Sequence, residues 1–140
     1  MKNIFRGLLY ILAAMALLTG AIEVVMGLSS QLLFGAELPS EVLVEPVFNS
    51  QYRFTSFMWF GVGFFILIFV RDLERYEAPI KLLLWLVLIA GMIRIPTMLQ
   101  YGLPENQFGL FYISTMMVGE ILGGVAGLLM FRQVVNNNFK

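Results

Sequence analysis

The sequence predicts an all-α fold, an integral membrane four-helix bundle. Hydrophobic residues make up 59% of the chain and charged residues 13%, against about 45–50% and about 25% in soluble domains. Four apolar stretches approach the roughly 20 residues that cross a bilayer, and the basic residues gather on one side of them. At 140 residues, the chain is expected to form a single transmembrane domain.

The four predicted helices follow one another along the chain. The first runs from about 5 to 28, longer than the roughly 7–15 apolar residues of a cleaved signal peptide, so we expect a retained helix. The other three run from about 52 to 70, 79 to 99 and 108 to 131. The segment 29–50 contains no lysine or arginine and is expected to lie outside the membrane.

The basic residues predict the orientation. In a four-span arrangement, seven of the nine lysines and arginines fall on the side of the chain termini, and the two others lie inside spans. Because positive residues are retained in the cytoplasm, both termini are expected to be cytoplasmic in a multi-pass protein of the cell inner (plasma) membrane. The seven are Lys2, Arg6, Arg71, Arg75, Lys81, Arg132 and Lys140.

The composition also excludes several function classes. The chain has no cysteine and no histidine, which removes thiol nucleophiles, the commonest metal ligands and the usual acid–base group at neutral pH. A net charge of zero leaves no basic face for nucleic acid. We therefore expect no metal, cofactor or nucleic acid, and an enzyme is the less favoured reading.

Four charged residues lie inside predicted spans: Glu23, Arg53, Arg94 and Glu120. A charge at the centre of a span costs roughly 2.5–3.5 kcal/mol on insertion scales, so such residues usually face the bundle interior and pair. All four fall in the predicted outer half of the membrane, and their charges sum to zero. We expect Arg94 to contact Glu120 or Glu23 directly.

Three interpretations of these charges remain open. They form a structural network that fixes helix order, or they line a polar cavity that opens outward, or Arg53 and Glu23 extend to the outer membrane surface. Glycine faces on the first and fourth helices allow close helix contacts. The same faces would suit a homo-oligomer or a partner in a membrane complex.

The pattern from Asn49 onward resembles a known family. Asn49 and Arg53 open a helix, and Gly61 and Gly63 follow; Arg94 and Glu120 lie in the next two helices. This resembles a family of small bacterial four-helix membrane proteins classified only as a domain of unknown function, similar to the DoxX-like group. The resemblance implies a four-helix topology and a joint role for Asn49, Arg53, Arg94 and Glu120. Through the DoxX-like group it implies a quinone-linked setting.

The leading hypothesis is a binding protein for a lipid, a quinone or a small amphipathic molecule. Arg53 and Arg94 would meet anionic or carbonyl groups, and Glu23 and Glu120 would balance them. Hydrogen bonds would come from Asn49, Tyr52 and Tyr101. The alternatives are a structural or assembly subunit of a larger membrane complex and, less favoured, a membrane enzyme or a proton-coupled transporter using Glu120.

Overall fold

A computed structural model describes residues 2–138, with side chains through residue 136; Lys140, counted above among the cytoplasmic cations, lies outside them. The described chain is helical and contains no strand, so the predicted fold class is confirmed. Four helices are long and apolar enough to cross a membrane. The helices are α1 (Lys2–Met26), α2 (Ser30–Leu33), α3 (Ser40–Leu43), α4 (Pro46–Phe69), α5 (Glu77–Tyr101) and α6 (Gln107–Asn138), with a 3₁₀ turn at Gly27–Ser29 after α1.

Helix α4 begins six residues before the start near residue 52 that hydropathy suggested. Glu45 is its N-cap, and the Glu45 carboxylate accepts a hydrogen bond of 2.6 Å from the Phe48 N–H. Pro46 occupies the first turn, where a missing N–H costs nothing. These capping residues start the helix in a polar stretch that contributes little to hydropathy.

Helix α1 ends where Gly27 takes a positive φ of 63°. Glycine adopts this conformation without the steric cost of a Cβ. Asn49 fixes the break: its Oδ1 accepts from the Leu28 N–H at 3.1 Å, and its Nδ2 donates to the Leu43 carbonyl at 2.6 Å. The chain therefore leaves the α1 axis and enters α2, which brings Phe34 toward α6.

The four long helices form two antiparallel hairpins, α1 with α4 and α5 with α6. Glycines make both contacts close. A Cβ added at Gly20 would lie 2.8 Å from the backbone nitrogen of Phe60, and one at Gly124 would lie 2.9 Å from the Cα of Leu88. Such close approach increases van der Waals contact, a main source of helix association in a bilayer.

The hairpins pack tightly against each other at one end of the bundle only. We call this the termini end, because it carries the described ends of the chain and the turn between α4 and α5. The Phe5 and Phe131 rings meet there at a centroid distance of 5.6 Å. The cluster of fully buried hydrophobic residues comprises Phe5, Leu9, Ala13, Ile66, Val70, Leu73, Ile80, Leu84, Phe131 and Val134.

The opposite end, the loop end, carries the segments that connect α1 with α4 and α5 with α6. Phe34 stacks on Tyr112 at 4.9 Å, and Asn106 Nδ2 donates to the Gly35 carbonyl at 2.8 Å. In the described chain, no hydrophobic side chain beyond Ala16 on α1 or before Phe131 on α6 is fully buried. The hairpins are thus joined at both extremities but sparsely packed in between.

Candidate functional site

Arg94 of α5 and Glu120 of α6 form a bidentate ion pair at the loop end. Arg94 Nε donates to Glu120 Oε2 at 2.6 Å, and Arg94 Nη2 donates to Glu120 Oε1 at 2.7 Å. Gly91, one turn before Arg94, allows the approach, because a Cβ there would lie 2.9 Å from Glu120 Cβ. The predicted contact of Arg94 with an intramembrane carboxylate is confirmed.

This pair is only partly shielded. The side chains of Arg94 and Glu120 are 33% and 18% exposed. Bidentate geometry satisfies both carboxylate oxygens. The Arg94 Nη1 hydrogens have no protein acceptor among the described residues. The pair is therefore neutral as a unit, and the Nη1 edge of the guanidinium remains able to donate hydrogen bonds to a ligand or water.

Glu23 is the second carboxylate of this region. It is half-buried on α1 and makes no ion pair with any described residue. Its carboxylate interacts with the Tyr52 side chain and lies within electrostatic range of Tyr112. The Arg94–Glu120 pair is neutral as a unit, so Glu23 is the carboxylate of this region that has no ion-pair partner among the described residues.

Tyr52 connects α4 to the short helix α2. Its hydroxyl accepts a hydrogen bond from Gln31 Nε2 and lies 3.4 Å from Ser30 Oγ. Ser30 is fully buried and donates to the Gly27 carbonyl at 2.7 Å. Tyr52 therefore still has its own hydroxyl hydrogen to donate, and the Glu23 carboxylate is near enough to interact with it.

Tyr112 of α6 is the fifth residue of this region. It is half-buried, stacks on Phe34, and interacts electrostatically with Glu23, Arg94 and Glu120. We call Glu23, Tyr52, Arg94, Tyr112 and Glu120 the polar cluster. All four long helices contribute to it.

The face of α6 below Tyr112 borders an open space. Met116, Gly119 and Gly123 follow Tyr112 at spacings of four, three and four residues, so they share its face. A Cβ added at Gly119 or Gly123 would meet no atom within 4 Å, although Gly123 is half-buried. Gly119 is exposed, so this face of α6 is not covered by other parts of the described chain.

Three of the predicted site residues lie apart from this cluster. Arg53 is exposed, with its guanidinium beside Gly27, and pairs with no described acid. The side-chain amide of Asn49 is hydrogen-bonded to backbone groups that follow α1 and end α3. Tyr101 is 77% exposed at the end of α5. The joint role in ligand binding predicted for Arg53, Arg94 and Glu120 therefore stays a prediction.

The sequence reasoning missed Tyr112, Ser30 and Gln31 as members or supports of the site. Tyr112 carried a usable signal, since it precedes Glu120 by eight residues, about two helical turns, in a stretch with no other charged or aromatic residue. No sequence pattern indicated that Ser30 and Gln31 belong to the site. They reach Tyr52 only because Gly27 redirects the chain.

A family model matches residues 4–131 of the chain and is described as a domain of unknown function, DUF4345. The matched range includes every member of the polar cluster. The expected resemblance to an uncharacterised family is confirmed, and the match does not extend to the DoxX-like group. No curated protein and no solved structure matches the chain.

Proposed function

Because the chain belongs to the DUF4345 family, for which no activity is defined, we propose its function from the chemistry of its own residues. It binds the polar end of a lipid, a quinone-like compound or another small amphipathic molecule beside the polar cluster. The site lies in the half of the bilayer nearer the loop end. The distribution of basic residues predicts that this half faces the outer side of a plasma membrane.

The observation that carries this proposal is the unpaired carboxylate of Glu23. It is half-buried at the loop end, it interacts with Tyr52, and it forms no ion pair with a described cation. A charge at such a depth is costly unless another group pairs with it. A ligand that donates a hydrogen bond or carries a positive group would offset this cost.

The arrangement also specifies the polar end of the ligand. Arg94 is engaged by Glu120 through two of its nitrogens, so the cluster offers carboxylate and tyrosine oxygens more readily than a free cation. A hydroxyl of a quinol or an ammonium group would complement Glu23, Tyr52 and Tyr112. This refines the sequence-based hypothesis, in which Arg94 met an anionic group.

Arg53 would then serve the outer part of the ligand. Its guanidinium lies beside Gly27, one helical turn along the chain from Glu23, and is exposed. A phosphate attached to an ammonium group, as in a zwitterionic phospholipid, would reach Arg53 while the ammonium meets Glu23. A quinol ring, as the DoxX-like resemblance would suggest, would leave Arg53 unused.

The open face of α6 provides the space for the apolar part of the ligand. No protein atom lies within 4 Å of a Cβ added at Gly119 or Gly123, so the apolar part of the ligand can lie against this face. Fully buried hydrophobic side chains are concentrated at the termini end. The loop end can therefore admit a guest molecule without disrupting the core.

Native mass spectrometry of the gently extracted protein tests the proposal. The unsubstituted chain should retain a small molecule that Gly123→Leu displaces, because the leucine side chain fills the open face. Gly61→Leu is the matched control. A Cβ at Gly61 also meets nothing, but Gly61 lies about 200° around α4 from Gly63, which packs on α1.

Equal retention of the molecule by the Gly123→Leu and Gly61→Leu variants would refute the proposal. So would a wild-type chain that carries a protein partner but no small molecule. That second result would favour the role as an assembly subunit of a membrane complex.

A further inference from the structure

A second amphipathic site lies at the other end of the molecule. A groove of about 560 Å³ runs between α5 and α6 at the termini end. It shares no residue with the polar cluster. Its apolar lining includes Trp85, Leu88, Leu128 and Leu129.

The groove is polar at one end and apolar at the other. Glu77, Lys81, Arg132 and Asn136 line it near the start of α5 and the end of α6. Trp85 and Leu88 line it one to two turns further toward the middle of α5. This gradient along the helix axes parallels that of a phospholipid, whose headgroup lies at the membrane surface and whose chains point inward.

The charges at the polar end select the headgroup. Lys81 and Arg132 are exposed and make no ion pair with a described residue. With the single carboxylate of Glu77, the rim carries a net charge of +1 among the described side chains. Basic pockets between membrane helices bind anionic headgroups, and each lysine or arginine near the surface adds to the attraction.

We propose that this groove binds one anionic phospholipid from the leaflet at the termini end. Lys81 and Arg132 hold its phosphate, and an acyl chain lies across Trp85 and Leu88. Trp85 is about half exposed on the membrane face of α5. Tryptophan rings are favoured at this level of a membrane, so the ring forms a side wall for the chain next to the headgroup.

Trp85 also provides the reporter for a test. The chain has two tryptophans, and the other, Trp59, lies at the α1–α4 contact, where its Nε1 donates to Thr19 Oγ1 at 3.0 Å. A Trp59→Phe background leaves Trp85 as the only tryptophan. The full chain in phosphatidylcholine nanodiscs is then titrated with phosphatidylglycerol or phosphatidylcholine that carries bromine on its acyl chains.

Brominated phosphatidylglycerol should quench Trp85 at lower lipid fraction than brominated phosphatidylcholine. In the double variant Lys81→Gln, Arg132→Gln, the preference for phosphatidylglycerol over phosphatidylcholine should fall by about fivefold for each cation removed, on the order of twentyfold in total. The matched control is Arg71→Gln, Arg75→Gln, which removes the same charge from exposed positions at the same end of the molecule, outside the groove. It should keep the preference.

Three results would overturn the inference. Equal quenching by the two lipids in the Trp59→Phe chain would mean that the groove does not select an anionic headgroup. An equal loss in both double variants would mean that only the general surface charge attracts the lipid. Absence of quenching by either lipid would mean that another occupant, such as a second copy of the chain, covers Trp85.

Discussion

Three charged residues of the loop end differ in how well the protein compensates them. Arg94 and Glu120 satisfy each other through two short hydrogen bonds, whereas Glu23 has tyrosines but no described cation beside it. Buried ion pairs contribute little net stability, because desolvation offsets the attraction. We therefore assign the pair a role in organising the site and Glu23 the role of contacting the ligand.

The coupling between Arg94 and Glu120 can be measured. Arg94→Met should lower the free energy of unfolding by about 2–4 kcal/mol, because it leaves a carboxylate uncompensated. The double change Arg94→Met, Glu120→Met should cost less than either single change. The melting temperature in detergent reports both effects.

Arg71→Met serves as the control for this experiment, since Arg71 is exposed. It should change the free energy of unfolding by less than about 0.5 kcal/mol. A double variant whose loss of stability equals the sum of the two single losses would show that the two residues are not energetically coupled.

The residues of the site were only partly predictable. Helix depth and the cost of intramembrane charge were sufficient to predict that Arg94 pairs with a glutamate. Asn49 and Arg53 were assigned to the same site, but the break of α1 at Gly27 engages Asn49 with backbone groups and leaves Arg53 beside the glycine. Such a break depends on a single φ value, which hydropathy does not encode.

At the scale of the helices, glycines on neighbouring positions of α6 have opposite environments. A Cβ at Gly124 would lie 2.8 Å from Leu88 Cβ and 2.9 Å from Leu88 Cα, whereas one at Gly123 would meet nothing within 4 Å. Gly124 therefore sets the distance between α5 and α6. Gly123 borders the open face beside the polar cluster.

Alanine substitutions separate these two roles. Gly124→Ala should lower stability by about 1–3 kcal/mol, because the methyl group overpacks a backbone contact. Gly123→Ala should leave stability unchanged or raise it by up to about 1 kcal/mol, since alanine favours helix over glycine. Thermal unfolding in detergent compares the two variants, and equal losses would contradict the packing described for α6.

The helices themselves were more predictable than their ends. Four apolar runs of membrane length identify four helices because that signal is local in the sequence. The ends are set by capping and by polar residues beyond the membrane. Thus the Glu45 cap starts α4 at Pro46, and α6 continues to Asn138, past the predicted end near residue 131.

At the scale of the whole molecule, the two ends of the bundle differ in packing and in chemistry. The termini end holds the fully buried core and the groove between α5 and α6, and the loop end holds the polar cluster and the open face of α6. A bundle that is closed at one end and open at the other suits a binding site reached from one side of the membrane better than a channel. Its orientation therefore decides which side the polar cluster can serve.

Reporter fusions test this orientation. Fusions in the turn after α4, at residues 71–76, and at the C-terminus should give cytoplasmic signals, because the cations are concentrated there. Fusions in the segment 34–45 and in the turn 102–106 should give external signals. An external C-terminus would contradict an even number of spans and with it the predicted topology.

The most direct test of the proposed function is a crystal structure of the wild-type chain grown from a lipidic mesophase. We predict electron density from a non-protein molecule between the hairpins, in contact with Glu23 and Tyr112, while Arg94 and Glu120 remain paired. This prediction would be contradicted by hairpins closed at the loop end, with protein side chains filling the face of Gly119 and Gly123 and a cation of the chain paired with Glu23.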